Sequence, residues 1–309
     1  MSDNKPDWSK TCWRDMLVYQ RKSMWREDTL DMLAAWMGMK PGHTVVDVGC
    51  GLGYLGYTYW EYFGSGGKYL GVDRTPELLE SAREAALDWG NGGTTKFVES
   101  DAYALPVEDN AVDIAMCQAL LMHLERPGDA LAEMKRIVRP GGRVVCFEAD
   151  NLSAQMTVPH WSLPELSAEE FLLSRKVYLL ANKGRIKLGR GDSSIGRKIP
   201  HLMAQIGLAE VDVRLNDKVH FLEPPYESRF QRDAIEKLEK QFFDEERYRT
   251  MVDREREEFL AGGGTEEEHS RARALGKRYR EALRKELDAR TYFACALGLT
   301  SAVMGKKPE

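Results

Sequence analysis

The sequence predicts an α/β fold built on a parallel sheet, and three observations carry that prediction. Strand and helix signals alternate from about residue 41 to residue 150, the strand runs are almost wholly apolar, and the first of them ends in a glycine-rich turn. Thr44–Val48 (TVVDV) is a short β-branched run, followed by glycines and a helix-length stretch at 55–63. Residues 69–72 make a second strand. The helix that follows, 76–89, opens on Pro76, where a missing N–H costs nothing. Residues 95–99 and 112–117 read as the third and fourth strands. Residues 130–138 read as a helix with apolar spacing at Leu131, Met134 and Val138, and 143–148 as the fifth strand. Apolar residues on both faces of each strand are what a sheet covered on both sides requires.

Beyond residue 150 the pattern loosens. Residues 168–181 read as a helix, 195–206 as another closed by Gly207, and 208–214 (LAEVDVR) alternates as a sixth strand. The charge-rich stretch 226–290 carries apolar residues at Ile235, Leu238 and Phe242, then at Leu275, Tyr279, Leu283 and Leu287. Steps of three and four predict two amphipathic helices with a break at 262–264. A substrate cap, a homodimer contact and a plain decorating hairpin all fit them. The basic run at 271–284 reads as a solvated face, and residues 292–304 as a last strand.

Composition removes several classes. With 43% hydrophobic and 30% charged residues, the 309-residue chain is ordinary globular material able to bury a full core. A net charge of -5 argues against a nucleic-acid-binding protein, since that affinity rests on cations neutralising phosphates. The first thirty residues interleave charges with aromatics and hold no apolar run, so no secretory signal is expected. No stretch approaches the roughly 18–20 apolar residues of a membrane span. The cysteines at 12, 50, 117, 146 and 295 lie far apart with no CxxC pair, so neither a metal site nor a disulfide framework is expected. The expectation is a cytoplasmic protein.

The chemistry concentrates in VVDVGCGLG, residues 45–53. A strand ends in a glycine turn that opens a helix, because a ligand lying across the backbone would collide with a Cβ. The run contains a literal GxGxxG at Gly51, Gly53 and Gly56, with Asp73 about twenty residues on, so a nicotinamide-dependent oxidoreductase has to be weighed. Two details oppose it. Counting from Gly49, directly after the strand, gives GxGxG. Asp47 also puts a carboxylate beside the turn, which a pyrophosphate would disfavour and a cation would tolerate.

Four runs in order, DVGCGLG, GVDRTPELLESARE, ESDAYALPVEDNAVDIAMCQALLMHL and LAEMKRIVRPGGRVV, resemble the class I S-adenosylmethionine (SAM)-dependent methyltransferases. They are most similar to the group holding the ubiquinone/menaquinone C-methyltransferases and many small-molecule methyltransferases. GRGDSSIGRKIPHLMAQIGLAEVDV, 189–213, resembles the helix and sixth strand found there, and Val112 stands where that group usually has Phe. The resemblance implies a Rossmann-like seven-stranded mixed sheet with an antiparallel last strand, a helical lid and cap insertions. All 309 residues would then form a single methyltransferase domain, with its core at 41–150, 196–222 and 291–306, an N-terminal lid at 1–40, and caps at 151–195 and 223–290.

The resemblance also implies a SAM cofactor and residue roles. Gly49, Gly51 and Gly53 would line the methionine end, with Asp47 beneath its amino group. Asp73 would accept from both ribose hydroxyls, Arg74 flank the adenine, Asp101 accept from the adenine amino group beside the Ala102 N–H, and Gln118 line the methyl-transfer pocket. His123, following Gln118, is the best-placed candidate base; a loop histidine that caps a turn or lines the pocket fits it as well. Glu148 and Asp150, at the end of the fifth strand, either face the acceptor or serve in capping or at the surface. The N-terminal aromatics Trp8, Trp13, Tyr19 and Trp25 read as a lid over a sulfonium or as an amphipathic helix on the core, with Tyr19 and Trp25 as the lid candidates. The function implied is methyl transfer from SAM to the oxygen, nitrogen or carbon of a small-molecule acceptor. A SAM-binding sensor or scaffold without turnover is the alternative, ahead of the oxidoreductase.

Overall fold

The computed structural model describes residue 25 and residues 27–90, 92–154, 163–215, 219–297 and 300–309. In chain order the elements are α1 (Glu27–Met37), β1 (Thr44–Val48), α2 (Tyr54–Phe63), β2 (Lys68–Asp73), α3 (Pro76–Ala86), β3 (Thr94–Glu99), β4 (Val112–Gln118), α4 (Pro127–Ile137) and β5 (Val138–Ala149). There follow α5 (Ala168–Lys187), α6 (Ile199–Gln205), β6 (Ala209–Leu215), β7 (Val219–Leu222), α7 (Arg229–Phe243), α8 (Glu245–Ala261), α9 (Glu266–Ala289), β8 (Ala294–Leu297) and β9 (Thr300–Lys306). The described residues group into two compact units. One comprises Met1–Asp150, Ile195–Asn216 and Thr300–Glu309; the other comprises Asn151–Ser194 and Asp217–Leu299.

The first unit holds a seven-stranded sheet in the order β3-β2-β1-β4-β5-β9-β6. β1 to β5 are mutually parallel, while β9 runs antiparallel to both β5 and β6. The alternating side chains of the central strands β1, β4 and β5 enter two separate cores, which is why these strands are largely apolar. Val45, Ile114, Met116 and Val145 join Met37, Tyr59 and Leu79 on one face. Val46, Ala115, Cys117 and Val144 join Leu131, Met134 and Met203 on the other. Burial on both faces is the condition under which parallel pairing is stable.

A carboxylate sits on the face of this first core. Asp47, 1% exposed, accepts a hydrogen bond from the Tyr69 hydroxyl at 2.9 Å. Tyr69 reaches it because residue 56, on α2, is glycine: a Cβ there would lie 2.3 Å from the ring. Gly56, the last glycine of the literal GxGxxG, therefore lets a helix approach a strand. Tyr69→Phe takes a donor from a buried carboxylate and should lower stability by about 1–3 kcal/mol in a urea titration. A loss under about 0.5 kcal/mol, the usual range of a surface substitution, would contradict this account of Asp47.

Two expectations need correction. The run 292–304 is not one strand. Ala294–Leu297 pairs antiparallel with Val219–Leu222 as a separate two-stranded ribbon, and only Thr300–Lys306 enters the sheet. Both pieces are apolar, so hydrophobicity alone runs them together, although Gly298 stands between them in the sequence. The stretch 226–290 forms three helices, not two. Asp244 ends α7 and caps α8, accepting from the Arg247 N–H at 2.9 Å, and Glu245 and Glu246 follow in the first turn, where acidic residues suit the helix dipole. The break at 262–264 separates α8 from α9, whose N-cap Thr265 forms a capping box with Glu268. Smaller differences are that 195–206 splits into a 3-10 turn (Ile195–Lys198) and α6, and that β5 begins already at Val138.

In the second unit α5 and α8 approach closely through glycines. A Cβ at Gly184 would fall 1.7 Å from the Glu258 carbonyl oxygen, and one at Gly262 would fall 1.9 Å from that of Leu180. The segments expected as caps fall largely within this unit. Among the described residues no helix is long and apolar enough to cross a membrane.

Candidate active site

The carboxyl ends of β1, β2, β3 and β4 meet at one cavity, lined among others by Gly49, Gly51, Asp73, Arg74, Asp101, Ala102, Gln118 and His123. Ligands in open α/β sheets bind at this edge. After β1 the backbone turns through Gly49 (φ 70) and Gly51 (φ 53), conformations that side chains with a Cβ adopt only under strain. The turn is clamped to β2, because the Gly49 and Cys50 N–H groups both donate to the Val72 carbonyl, at 2.7 and 3.0 Å.

The two glycines differ in what occupies their open side. A Cβ on Gly49 would lie 2.8 Å from Leu120 Cδ1, so protein fills that space. Beside a Cβ on Gly51 the nearest heavy atom is Leu78 Cδ1, at 4.0 Å. Packing therefore does not exclude a side chain at residue 51; the residue faces the cavity, and its missing Cβ leaves room for a ligand against the backbone. Gly51→Ala should leave the chain folded, with a backbone cost of about 1–2 kcal/mol at this positive φ. It should also weaken nucleoside binding in calorimetry by more than that stability loss, whereas unaltered binding would show that no ligand crosses the turn.

Asp73, the last residue of β2, uses its two oxygens separately. Oδ2 accepts from the Gly51 N–H and Oδ1 from the Thr75 N–H, both at 2.9 Å. A carboxylate offers about four acceptor positions, so each oxygen keeps capacity toward the cavity. The loop after β3 is drawn to the same place by the Ser100 N–H, which donates to the Asp73 carbonyl at 3.0 Å. Asp101 then forms an Asx turn, Oδ1 accepting from the Tyr103 N–H at 3.0 Å, with Ala102 buried beside it. Arg74 is exposed at the rim.

At the end of β4, Gln118 is 2% exposed, and Ala119 just after it adopts a positive φ of 50°. Leu120 follows, and then the single 3-10 turn Leu121–His123. His123 is half-buried and lines the cavity with Leu120 and Leu124. The turn is held by Glu148 of β5, whose carboxylate accepts from the N–H groups of Leu120 (2.8 Å), Leu121 (2.7 Å) and Met122 (3.3 Å). Of the roles left open for Glu148, capping is the one found. Asp150 lies 3.8 Å from Arg197 Nε. Cys117 is a core residue whose thiol is held well above the usual range by the hydrogen bond with Cys146 and by burial.

Several residues named from the sequence stand elsewhere. Asp47 is not among the lining residues and lies behind the turn, against Tyr69. Gly53 is the N-cap of α2 in a left-handed conformation (φ 76, ψ 11) and serves the helix start. Trp25, partly buried, stands edge-on to Phe147 and Tyr59, with centroids 5.0 and 5.5 Å apart, packed against the core on one face of the sheet and outside the cavity lining. Tyr19 lies outside the described residues. Sequence reasoning passed over Tyr103, which lines the cavity while its ring lies 4.6 Å from the Arg126 guanidinium carbon and its hydroxyl accepts from the Arg126 N–H at 3.2 Å. No local pattern marks it, since its partner sits on the loop after β4.

Comparison with known proteins finds methyltransferases. Residues 46–146 fit the methyltransferase domain family. An uncharacterized methyltransferase of Schizosaccharomyces pombe is 38% identical over 121 residues, 38% of this chain and 43% of that protein. A ubiquinone/menaquinone biosynthesis C-methyltransferase of Azotobacter vinelandii is 32% identical over 134 residues, 43% of this chain and 51% of that protein. The matched region thus spans about half the length of these curated relatives or less. Two solved structures share the fold. YcgJ of Bacillus subtilis has a TM-score of 0.51 at 17% identity, covering 92% of this chain and 100% of that one. Phosphoethanolamine N-methyltransferase 2 of Haemonchus contortus, in complex with S-adenosyl-L-methionine, has a TM-score of 0.50 at 16% identity, covering 98% and 59%. Residues 46–146 are thus similar to a methyltransferase domain, and S-adenosylmethionine (SAM) is the cofactor that such a domain implies. The cavity fits that cofactor on its own terms, with a bare backbone at Gly51 and two carboxylates that retain acceptor capacity.

Proposed function

We propose that the chain transfers the methyl group of SAM to a small-molecule acceptor by in-line displacement. The observation that carries this reading is the convergence of Gly49, Gly51, Asp73, Asp101, Gln118 and His123 on one cavity at the carboxyl edge of the sheet. Asp73 would bind the paired ribose hydroxyls, Asp101 and the Ala102 N–H the adenine edge, and Arg74 the outer face of the base. Gly51 would let the amino-acid end lie across the backbone, and Asp47, behind the turn, would favour its positive charge electrostatically.

Bound there, the sulfonium supplies a methyl group already activated for transfer. What remains for the protein is to hold a nucleophile in line and to keep water out. Gln118, Leu120, His123 and Leu124 form the wall on which an acceptor would rest, and His123 would take the proton of a hydroxyl or amine acceptor.

A SAM-binding sensor without turnover uses the same nucleoside contacts. The oxidoreductase is disfavoured by the sheet, because the dinucleotide-binding order 3-2-1-4-5-6 has no antiparallel strand between its fifth and sixth positions, where β9 lies here. Calorimetric titration with SAM and NADH, followed by labelled-methyl assays on a panel of hydroxyl, amine and activated-carbon acceptors, separates the three. The proposal requires SAM binding and label transfer to at least one acceptor. SAM binding with no transfer selects the sensor, and NADH binding without SAM binding selects the oxidoreductase.

A further inference from the structure

We propose that Glu148 is a positioning residue for methyl transfer, fixing the cavity wall that carries Leu120 and His123. The proposal rests on the methyltransferase reading above. Glu148 is fully buried near the end of β5, a place where an apolar residue would serve strand packing at lower cost. Its carboxylate takes the amides of three successive residues: Oε1 from Leu120 and Leu121, Oε2 from Met122. These amides open the 3-10 turn Leu121–His123 and have no partner within it, and a negative charge at such an end is favoured.

The amide just before them is also drawn to β5, since the Ala119 N–H donates to the Phe147 carbonyl at 2.9 Å. Residues 119–122 are thus tethered donor by donor, and the tether holds Ala119 at its sterically costly φ of 50°. The consequences reach the cavity on two sides. Leu120 is set against the glycine turn, where its Cδ1 occupies the place a Cβ on Gly49 would approach to 2.8 Å, and His123, closing the turn, is set into the cavity lining. Glu148 itself is not among the lining residues, so it acts through this backbone.

The test compares wild type with Glu148→Gln, which keeps the volume and one acceptor oxygen but turns an NH2 toward an N–H, and with Glu148→Ala. Site-resolved amide exchange and S-adenosylhomocysteine calorimetry are read on all three proteins, and kcat and KM on any acceptor the panel identifies. The amides of 120–122 should exchange at least about tenfold faster in Glu148→Gln, while those of β1 and β4 stay within about threefold of wild type. With an acceptor in hand, kcat should fall about tenfold or more with the KM for SAM within about threefold, a split that general destabilisation would not produce. Exchange at wild-type rates in 120–122, or a uniform rise throughout the sheet, overturns the proposal. If Glu148→Ala does not fold, Glu148→Gln decides alone. A wild-type chain that fails to bind S-adenosylhomocysteine overturns the methyltransferase reading and the proposal with it, whereas binding with unchanged loop exchange overturns the proposal only.

Discussion

Replacing Asp73 with alanine should weaken SAM binding by about 1–3 kcal/mol, or about 5- to 150-fold in dissociation constant. Two losses add. The ribose hydroxyls lose a charged acceptor, and the Gly51 and Thr75 N–H groups, each 2.9 Å from a carboxylate oxygen, lose their partner. The second loss loosens the glycine turn itself, so Asp73→Ala should also lower the melting temperature. Asp73→Asn separates the two effects: its single carbonyl oxygen can keep one amide but cannot serve both amides and both hydroxyls. Calorimetry should therefore rank the affinities wild type, Asp73→Asn, Asp73→Ala. An Asp73→Ala protein with wild-type affinity would remove the ribose assignment.

The second large effect belongs to His123. If it takes the acceptor's proton, His123→Ala should lower turnover about a hundredfold or more and leave SAM affinity unchanged. The separation follows from position: His123 closes the turn after β4, while the nucleoside contacts assigned here lie at the ends of β2 and β3. An acceptor methylated at a carbon that needs no deprotonation would make the imidazole a wall residue, and turnover would then change little. Near-normal turnover in His123→Ala with a hydroxyl or amine acceptor would contradict the role. A parallel fall in SAM affinity would instead mean that the substitution disturbs the wall through Leu120.

The parallel strands were legible because both faces of the central β1, β4 and β5 are buried, leaving apolar runs that turn signals punctuate. The candidate site was legible for a related reason. The topology delivers strand ends to one edge, so Gly49 and Gly51 after β1, Asp73 at the end of β2, Asp101 after β3 and Gln118 at the end of β4 reach the same cavity whatever surrounds them. Contacts made at a distance were hidden. Glu148 could be read as facing an acceptor because the backbone amides it holds lie 26–28 residues earlier. Asp47 could be read as a cofactor contact because its partner, the Tyr69 hydroxyl 22 residues on, reaches it only where Gly56 clears the way. Trp25, named for the lid, packs edge-on against Tyr59 and Phe147, which a local pattern does not place beside it. The apolar run 292–304 concealed a change of partner from β7 to β5, since hydrophobicity reports burial and not the strand that supplies it.

A crystal structure of the chain soaked or grown with S-adenosylhomocysteine tests the central claim most directly. The account predicts the ribose hydroxyls on Asp73, the adenine edge at Asp101 and Ala102, the amino-acid end over Gly51, and the sulfur facing the wall formed by Gln118 and His123. A nucleoside bound elsewhere, or bound here with its ribose turned away from Asp73, would contradict it.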